Sequence, residues 1–207
     1  MFLKKKFRQL VIKIITKAFR LYYRSLEEKY INTIKIGTGS KIHVPPLCPQ
    51  IENLQNDPNK LTIGENTHIR GTIFVYPYGD GVHIGNNSYI GENSIVRSGR
   101  SIIIGDNVLI AHNVTILDTD SHEIDQLERS KSYLSLLKNG HPKDSGLVKT
   151  APIRINDHVW VSYGVSIMKG VTIGEGAIIG AGAVVTHDIP SFCLAVGNPA
   201  KVIKYIK

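Results

Sequence analysis

One spacing limits what this chain can become: aliphatic residues recur every six positions. Ile63, Ile69 and Val75 are six apart, and so are Ile84, Ile90 and Val96, after an insertion containing Tyr78, Gly79, Asp80 and Gly81. Ile104, Ile110 and Ile116 continue the series; after a long interruption come Ile155, Val161, Ile167, Ile173, Ile179 and Val185. Many of these residues precede glycine or another small residue, with a small or β-branched one three places on, as in Ile173-Gly174-Glu175-Gly176-Ala177. An earlier unit, Ile36-Gly37, is cut off by a loop from His43 to Lys60 rich in proline and asparagine. A fixed period outranks local propensity in deciding a fold. Each unit supplies a short strand and a turn, three units make a coil of about 18 residues, and stacked coils bury a continuous aliphatic column. An antiparallel sandwich would require longer alternating strands joined by hairpins. The expectation is an all-β chain, a parallel β-helix of hexapeptide repeats.

The segment before the repeat has a different texture. Leu3, Phe7, Leu10, Ile14, Ala18 and Leu21 follow steps of three and four, and Val11, Ile15, Phe19 and Tyr22 widen the stripe, which predicts an amphipathic helix within residues 1–33. Lys13, Lys17, Arg20 and Arg24 take the same steps on another face. Of the formal charge of +8, about +7 resides in residues 1–30, where nine cations face only Glu27 and Glu28. Cations beside an apolar stripe suit a helix lying on anionic membrane; packing on the protein's own body or a sister subunit is the plainer reading. Nucleic acid is not expected as a partner, since the aromatics form no stacking platform.

Cys48 and Cys193 are far apart and in no metal-ligand spacing, so neither a disulfide framework nor a zinc site is expected. No stretch approaches the roughly 18 apolar residues of a spanning helix, and no cleavable leader is evident. A cytoplasmic protein is expected, with contact at the inner face of the membrane if the helix binds there.

The repeat, the run IGDNVLIAHNVTI, the THDIP segment and the closing GNPAKVI, Gly197 to Ile203, together resemble hexapeptide-repeat acyltransferases. The resemblance covers Ile34 to Lys207, a domain of residues 34–207 with an insertion at 121–152 and a tail at 191–207. It implies left-handed winding, which general chirality rules would not predict. It also implies a homotrimer with active sites between neighbouring β-helices, and acetyl-CoA as co-substrate with no metal required.

From Ser121 to Pro152 the repeat is suspended by a polar, tyrosine-bearing insertion with an apolar patch, Tyr133 to Leu137, that could form a short helix. A solenoid that ejects one long loop usually does so for function. His122 stands where the loop leaves the wall. A hydroxyl is a poor nucleophile until its proton is being removed, and an imidazole suits that task. Thr119-Asp120-Ser121-His122 is similar to the segment carrying the base in acetyltransferases of capsular sugars, which implies that role for His122; Asp118, Asp120 or Glu123 could orient its ring. On the donor side the resemblance implies Trp160, Tyr163, Ala181, Thr186, His187 and Lys201, with Lys201 and Lys204 meeting phosphates. Two departures stand out: WVSYG replaces the usual WIGxx, and His187 stands where a lysine is frequent. For the acceptor, Asn93, Arg97, Arg100 and Asp120 are candidates, with ordinary turn residues as the alternative for the first three.

The expected activity is O-acetylation of a bacterial surface-polysaccharide sugar. Acetylation of a small acceptor, such as a free sugar, amino sugar or antibiotic, is the alternative. A γ-class carbonic anhydrase shares the β-helix but needs zinc histidines in tight H-x4-H spacing, which His112, His122, His141 and His158 do not show. A non-catalytic scaffold would have no use for a histidine and a loop so placed.

Overall fold

The structure, a computed structural model, describes residues 2–43 and 51–206; Cys48 and residues 44–50 of the proline-rich loop lie outside them. From residue 35 the chain winds as a left-handed parallel β-helix with three walls. The first wall stacks Lys35–Ile36, Leu61–Ile63, Gly81–Ile84, Ser101–Ile104, Ile153–Ile155 and Thr172–Ile173. The second stacks Lys41–Ile42, His68–Ile69, Tyr89–Ile90, Leu109–Ile110, Trp160–Val161, Ile178–Ile179 and Cys193–Val196, and is closed by the antiparallel Lys201–Tyr205. The third stacks Ile51–Asn53, Thr72–Val75, Ile95–Ser98, Thr115–Leu117, Ser166–Met168 and Val184–Val185.

The six-residue period is the walls' register. Ile63, Ile84, Ile104, Ile155 and Ile173 pair in line along the first wall. Ile69, Ile90, Ile110, Val161 and Ile179 do so along the second. All ten are buried, and together they fill the prism's axis. Full burial of each such side chain contributes roughly 1.5–3 kcal/mol.

In one place the register departs from the sequence reading. Ile73, not Val75, pairs with Val96 in the third-wall column, while Val75 pairs with Ser98. The corner between Ile69 and Ile73 is therefore two residues short. Gly71 permits this, because a Cβ there would meet the Ser94 carbonyl oxygen at 2.5 Å. The next corner, Tyr76 to Asp80, is correspondingly enlarged.

The run Ile104-Gly105-Asp106-Asn107 has a physical reason at every position. A side chain on Gly105 would strike the Asp157 carboxylate of the next coil. The Asp106 carboxylate accepts from the Asn86 amide nitrogen at 2.6 Å, and Asp157 accepts from Asp106 N at 2.8 Å, so each acid satisfies the corner of the coil before it. Asn107 holds a left-handed φ of 56°, in a column with Asn66, Asn87 and His158. Asparagine tolerates that conformation better than most residues. His158 thus occupies a corner position.

Helix α1, Phe2–Ile31, precedes the β-helix, and its described side chains are exposed or partly so. The insertion leaves the third wall at Leu117 through a closed neck: Thr119 bridges Thr150, Asp120 N donates to the Lys149 carbonyl at 3.0 Å, and Ala151 N to the Asp118 carbonyl at 2.9 Å. Beyond it lies helix α2, Gln126–Asn139, longer than the short helix expected around Tyr133 to Leu137. Asp125 caps its start by accepting from Leu127 N and Glu128 N, and Gly140, at φ 77°, ends it. A side-chain cap can extend a helix whose apolar pattern is weak.

Ile110→Ala should lower unfolding stability by about 2–5 kcal/mol, because the packed column cannot close the void. Ile124→Ala, at a side chain 75% exposed, should stay within about 0.5 kcal/mol. Thermal and urea unfolding of the two variants checks both.

Candidate functional site

The enlarged corner after Val75 and the ejected loop leave a cavity of about 560 Å³ between the wall and the insertion. Tyr76, Tyr78 and Arg97 line its wall side; His122, His141 and Lys143 are among the residues lining its loop side. Phe74, beside Arg97 in register, adds a ring to the aromatic group. Tyr76 and Tyr78 stack with centroids 5.5 Å apart at 16°, and the His141 ring stands edge-on to Tyr76 at 5.4 Å and to Phe74 at 5.2 Å. The Arg97 guanidinium lies over Phe74, 5.7 Å from its centroid. Burial pushes the Tyr76 phenol up and that of Tyr78 up to about 12, so both remain proton donors at neutral pH. Burial also lowers the His141 imidazole from its ordinary value, which favours its neutral form.

His122 is exposed at the lip of this cavity. Ser121, at φ 66°, makes the left-handed turn that carries the chain from the neck to it. The three acids around it have separate tasks. Asp118 is fully buried and accepts from Ser98 Oγ at 2.8 Å, Gly99 N at 2.6 Å and Arg100 N at 3.0 Å, anchoring the preceding coil's corner. Burial raises its carboxyl, and those hydrogen bonds oppose the rise. Asp120 is engaged by Lys169 Nζ at 2.6 Å, which ties the neck to the following coil. Glu123 is buried: one oxygen accepts from Ser132 Oγ on α2 at 2.5 Å, and the other has no hydrogen-bond partner. The Ser132 hydroxyl, followed by smaller contributions that include His122, holds the Glu123 carboxyl below its usual range. Of the three, Glu123 has a buried oxygen with no hydrogen-bond partner.

The other residues singled out by sequence are spread over several edges and walls of the prism. Asn93, at φ 59°, occupies the corner between the second and third walls, in a left-handed column with Asn113, Gly164 and Gly182. His122 leaves from the corner between the third and first walls, so one chain does not bring the two together. Arg100 is 3.8 Å from the Asp80 carboxylate. Trp160 is 45% exposed on the outer face of the second wall, between Leu109 and Ile178. Tyr163 stacks on His112 with centroids 5.4 Å apart at 4°, and Ala181 lies one coil further along that corner. Thr186 and His187 follow the third wall, with Thr186 Oγ1 2.9 Å from His187 Nδ1. Lys201 opens the final strand, exposed. Within one chain Trp160 and His122 lie apart, Trp160 on the second wall and His122 at the corner between the third and first.

Tyr76, His141 and Lys143 were not anticipated as site residues. The available signal was the pair of tyrosines flanking Pro77 in an insertion that widens one corner. Cys193 is buried, its thiol pointing to the Pro190 carbonyl at 3.1 Å and pushed up by burial, so it is poorly suited to be a nucleophile. Among the described residues no three His, Cys, Asp or Glu side chains gather as a metal would require.

Two family profiles match this frame: "Bacterial transferase hexapeptide (six repeats)" at residues 152–187 and "Hexapeptide repeat of succinyl-transferase" at residues 81–118. A solved maltose O-acetyltransferase from Clostridium difficile 630 is 30% identical, with 93% of this chain and 89% of that one covered, at TM-score 0.52. The chain belongs to the hexapeptide-repeat acyltransferase family. Among curated relatives, the polysialic acid O-acetyltransferase of Escherichia coli O1:K1 / APEC is 71% identical over 52 residues, which is 25% of this chain and 17% of that protein. The chain thus matches only about a sixth of that relative's length. AntD, an N-acyltransferase from Bacillus cereus solved with dTDP and 3-hydroxybutyryl-CoA, is 21% identical at TM-score 0.65, covering 87% of each chain, a likeness of fold.

Ser132→Ala should move the Glu123 carboxyl upward toward its ordinary value, read by NMR titration. A carboxyl held low in the fold contributes stability above its unfolded pKa and loses it as pH falls through the lowered value. The variant should therefore lose less stability on acidification than the parent protein.

Proposed function

We propose that this protein is an acetyl-CoA-dependent O-acetyltransferase acting on a sugar hydroxyl of a bacterial surface polysaccharide, with His122 as general base. The observation that carries the reading is the position of His122, exposed at the lip of a cavity lined by Tyr76, Tyr78 and Arg97. Stacked phenols offer flat faces and hydroxyl donors to a sugar ring, and Arg97 offers a cation to an acidic substituent. The name of the polysialic acid O-acetyltransferase relative supports a polysaccharide acceptor.

In this mechanism His122 accepts the proton of the acceptor hydroxyl as its oxygen attacks the thioester carbonyl. The tetrahedral oxyanion collapses with cleavage of the carbon–sulfur bond, the acetyl group passes to the sugar, and the imidazolium returns its proton to the departing thiolate. Glu123, the next residue in the chain, steadies the imidazolium by its charge. No acyl-enzyme is needed. Trp160, Tyr163, Ala181, Thr186, His187 and Lys201 hold the donor, with the Lys201 ammonium toward phosphate.

Thr186 and His187 share the edge from which His122 leaves, but Trp160 and Lys201 stand on the second wall and Tyr163 and Ala181 at its corner with the third, which supports a homotrimer in which each site is completed between neighbours. Acetylation of a small sugar is the second reading, favoured by the maltose O-acetyltransferase named among the solved structures and its 30% identity across nearly the whole chain. Either acceptor fits a cytoplasmic enzyme, where the donor is made.

Labelled acetyl-CoA incubated with capsular polysaccharides, sugar nucleotides and free sugars separates the readings: transfer to polymer supports the first, transfer only to small sugars the second, and none to any sugar defeats both. His122→Ala should lower kcat by about 10²–10⁴-fold while acetyl-CoA binding and oligomeric mass are unchanged. Retained turnover would remove His122 from the mechanism. Glu123→Gln should lower kcat by roughly tenfold with little change in the KM for acetyl-CoA, as expected of a group acting through the histidine.

A further inference from the structure

Helix α1 presents a surface that the β-helix does not use. At 30 residues it is about 45 Å long. Phe7, Leu10, Ile12, Ile14 and Leu21 are each more than half exposed, and Ile15 nearly so. At 100° per residue, the apolar positions from Leu10 and Leu21 through Ile14, Phe7, Val11 and Ile15 to Ile12 sweep an arc of about 200°. Lys6, Lys13, Lys17 and Arg24 fall within an arc of about 40° bordering the Leu10 edge. Arg8 lies inside the apolar arc near the helix start, where its long stem lets the guanidinium reach outward.

Three occupants could cover such a face: the protein's own body, a second copy, or a lipid surface. The body does not, since Val11 is the only described side chain of the helix that is even partly sheltered. A second copy in parallel would set cationic stripes together, and the only acids before Ile31 are Glu27 and Glu28 at the far end. An anionic bilayer meets both halves of the surface, taking the apolar arc into its acyl boundary and the stripe against its headgroups. The helix does not cross: among the described residues no helix is long and apolar enough to span a membrane.

We infer that α1 is a membrane-surface anchor, lying in the interface of a bilayer rich in anionic lipid and holding the β-helix beside it. The charge on the stripe makes the contact lipid-selective and salt-sensitive, while the apolar arc supplies the part that salt does not screen.

Co-sedimentation of the full chain with phosphatidylcholine vesicles, with and without phosphatidylglycerol, tests this. Binding should require phosphatidylglycerol and weaken with salt. Lys13→Gln with Lys17→Gln should reduce partitioning on the order of 25-fold, from about fivefold per cation. Ile14→Asp should abolish binding with the unfolding temperature of the β-helix unchanged. Equal binding to both vesicle types, or none, overturns the inference. So does an Ile14→Asp variant that dissociates the oligomer yet still sediments with vesicles, which would assign the helix to packing between copies. Acetyl transfer to a soluble acceptor should survive in the Lys13→Gln, Lys17→Gln variant, so the anchor and the catalytic reading fail separately.

Discussion

Everything in this molecule hangs on the vertical registration of successive coils. Each strand is only two to five residues long, far too short to stand alone, and gains its hydrogen bonds and apolar contacts from the coils on either side. The Ile104-Gly105-Asp106-Asn107 corner shows how narrow the tolerance is. The isoleucine fills the axis, the glycine makes room for the acid of the next coil, the aspartate satisfies the coil before it, and the asparagine takes the left-handed turn.

A frame this regular gives function only where it is broken, and it is broken in two places that meet. The shortened corner at Gly71 and the enlarged one after Val75 put Tyr76 and Tyr78 in the corner that follows the third wall, where they line the cavity. One coil intervenes before the chain ejects residues 121–152 from the same edge. The closed neck at Thr119 and Thr150 keeps that insertion from disturbing the register, so Ile104 still pairs with Ile155 across it. The cavity is the space between these two irregularities. Burial raises the two phenols and lowers the His141 imidazole, while the Ser132 hydroxyl holds the Glu123 carboxyl low.

The α1 helix obeys different physics. The β-helix is stabilised by what it hides, whereas α1 shows large apolar side chains and a band of cations. A surface of that composition fits an environment that is both oily and negatively charged.

From the sequence alone the six-residue spacing determined the repeat fold, because one physical period repeats through many units and errors in any one do not matter. It could also locate the exit at His122, since an interrupted period is visible as such. Register within an irregular coil was beyond it: Val75 satisfies the spacing as well as Ile73 does, and only the steric demand at Gly71 selects between them. The tasks of the three acids near His122 were likewise undecided, because Asp118, Asp120 and Glu123 are alike in type and nearness along the chain. Tertiary structure separated them by giving Asp118 the amides of another coil, Asp120 a lysine from the next one, and Glu123 a single serine on α2. The wall on which each donor-side residue stands also had to await the structure, since a residue's face depends on the corners before it rather than on its own identity.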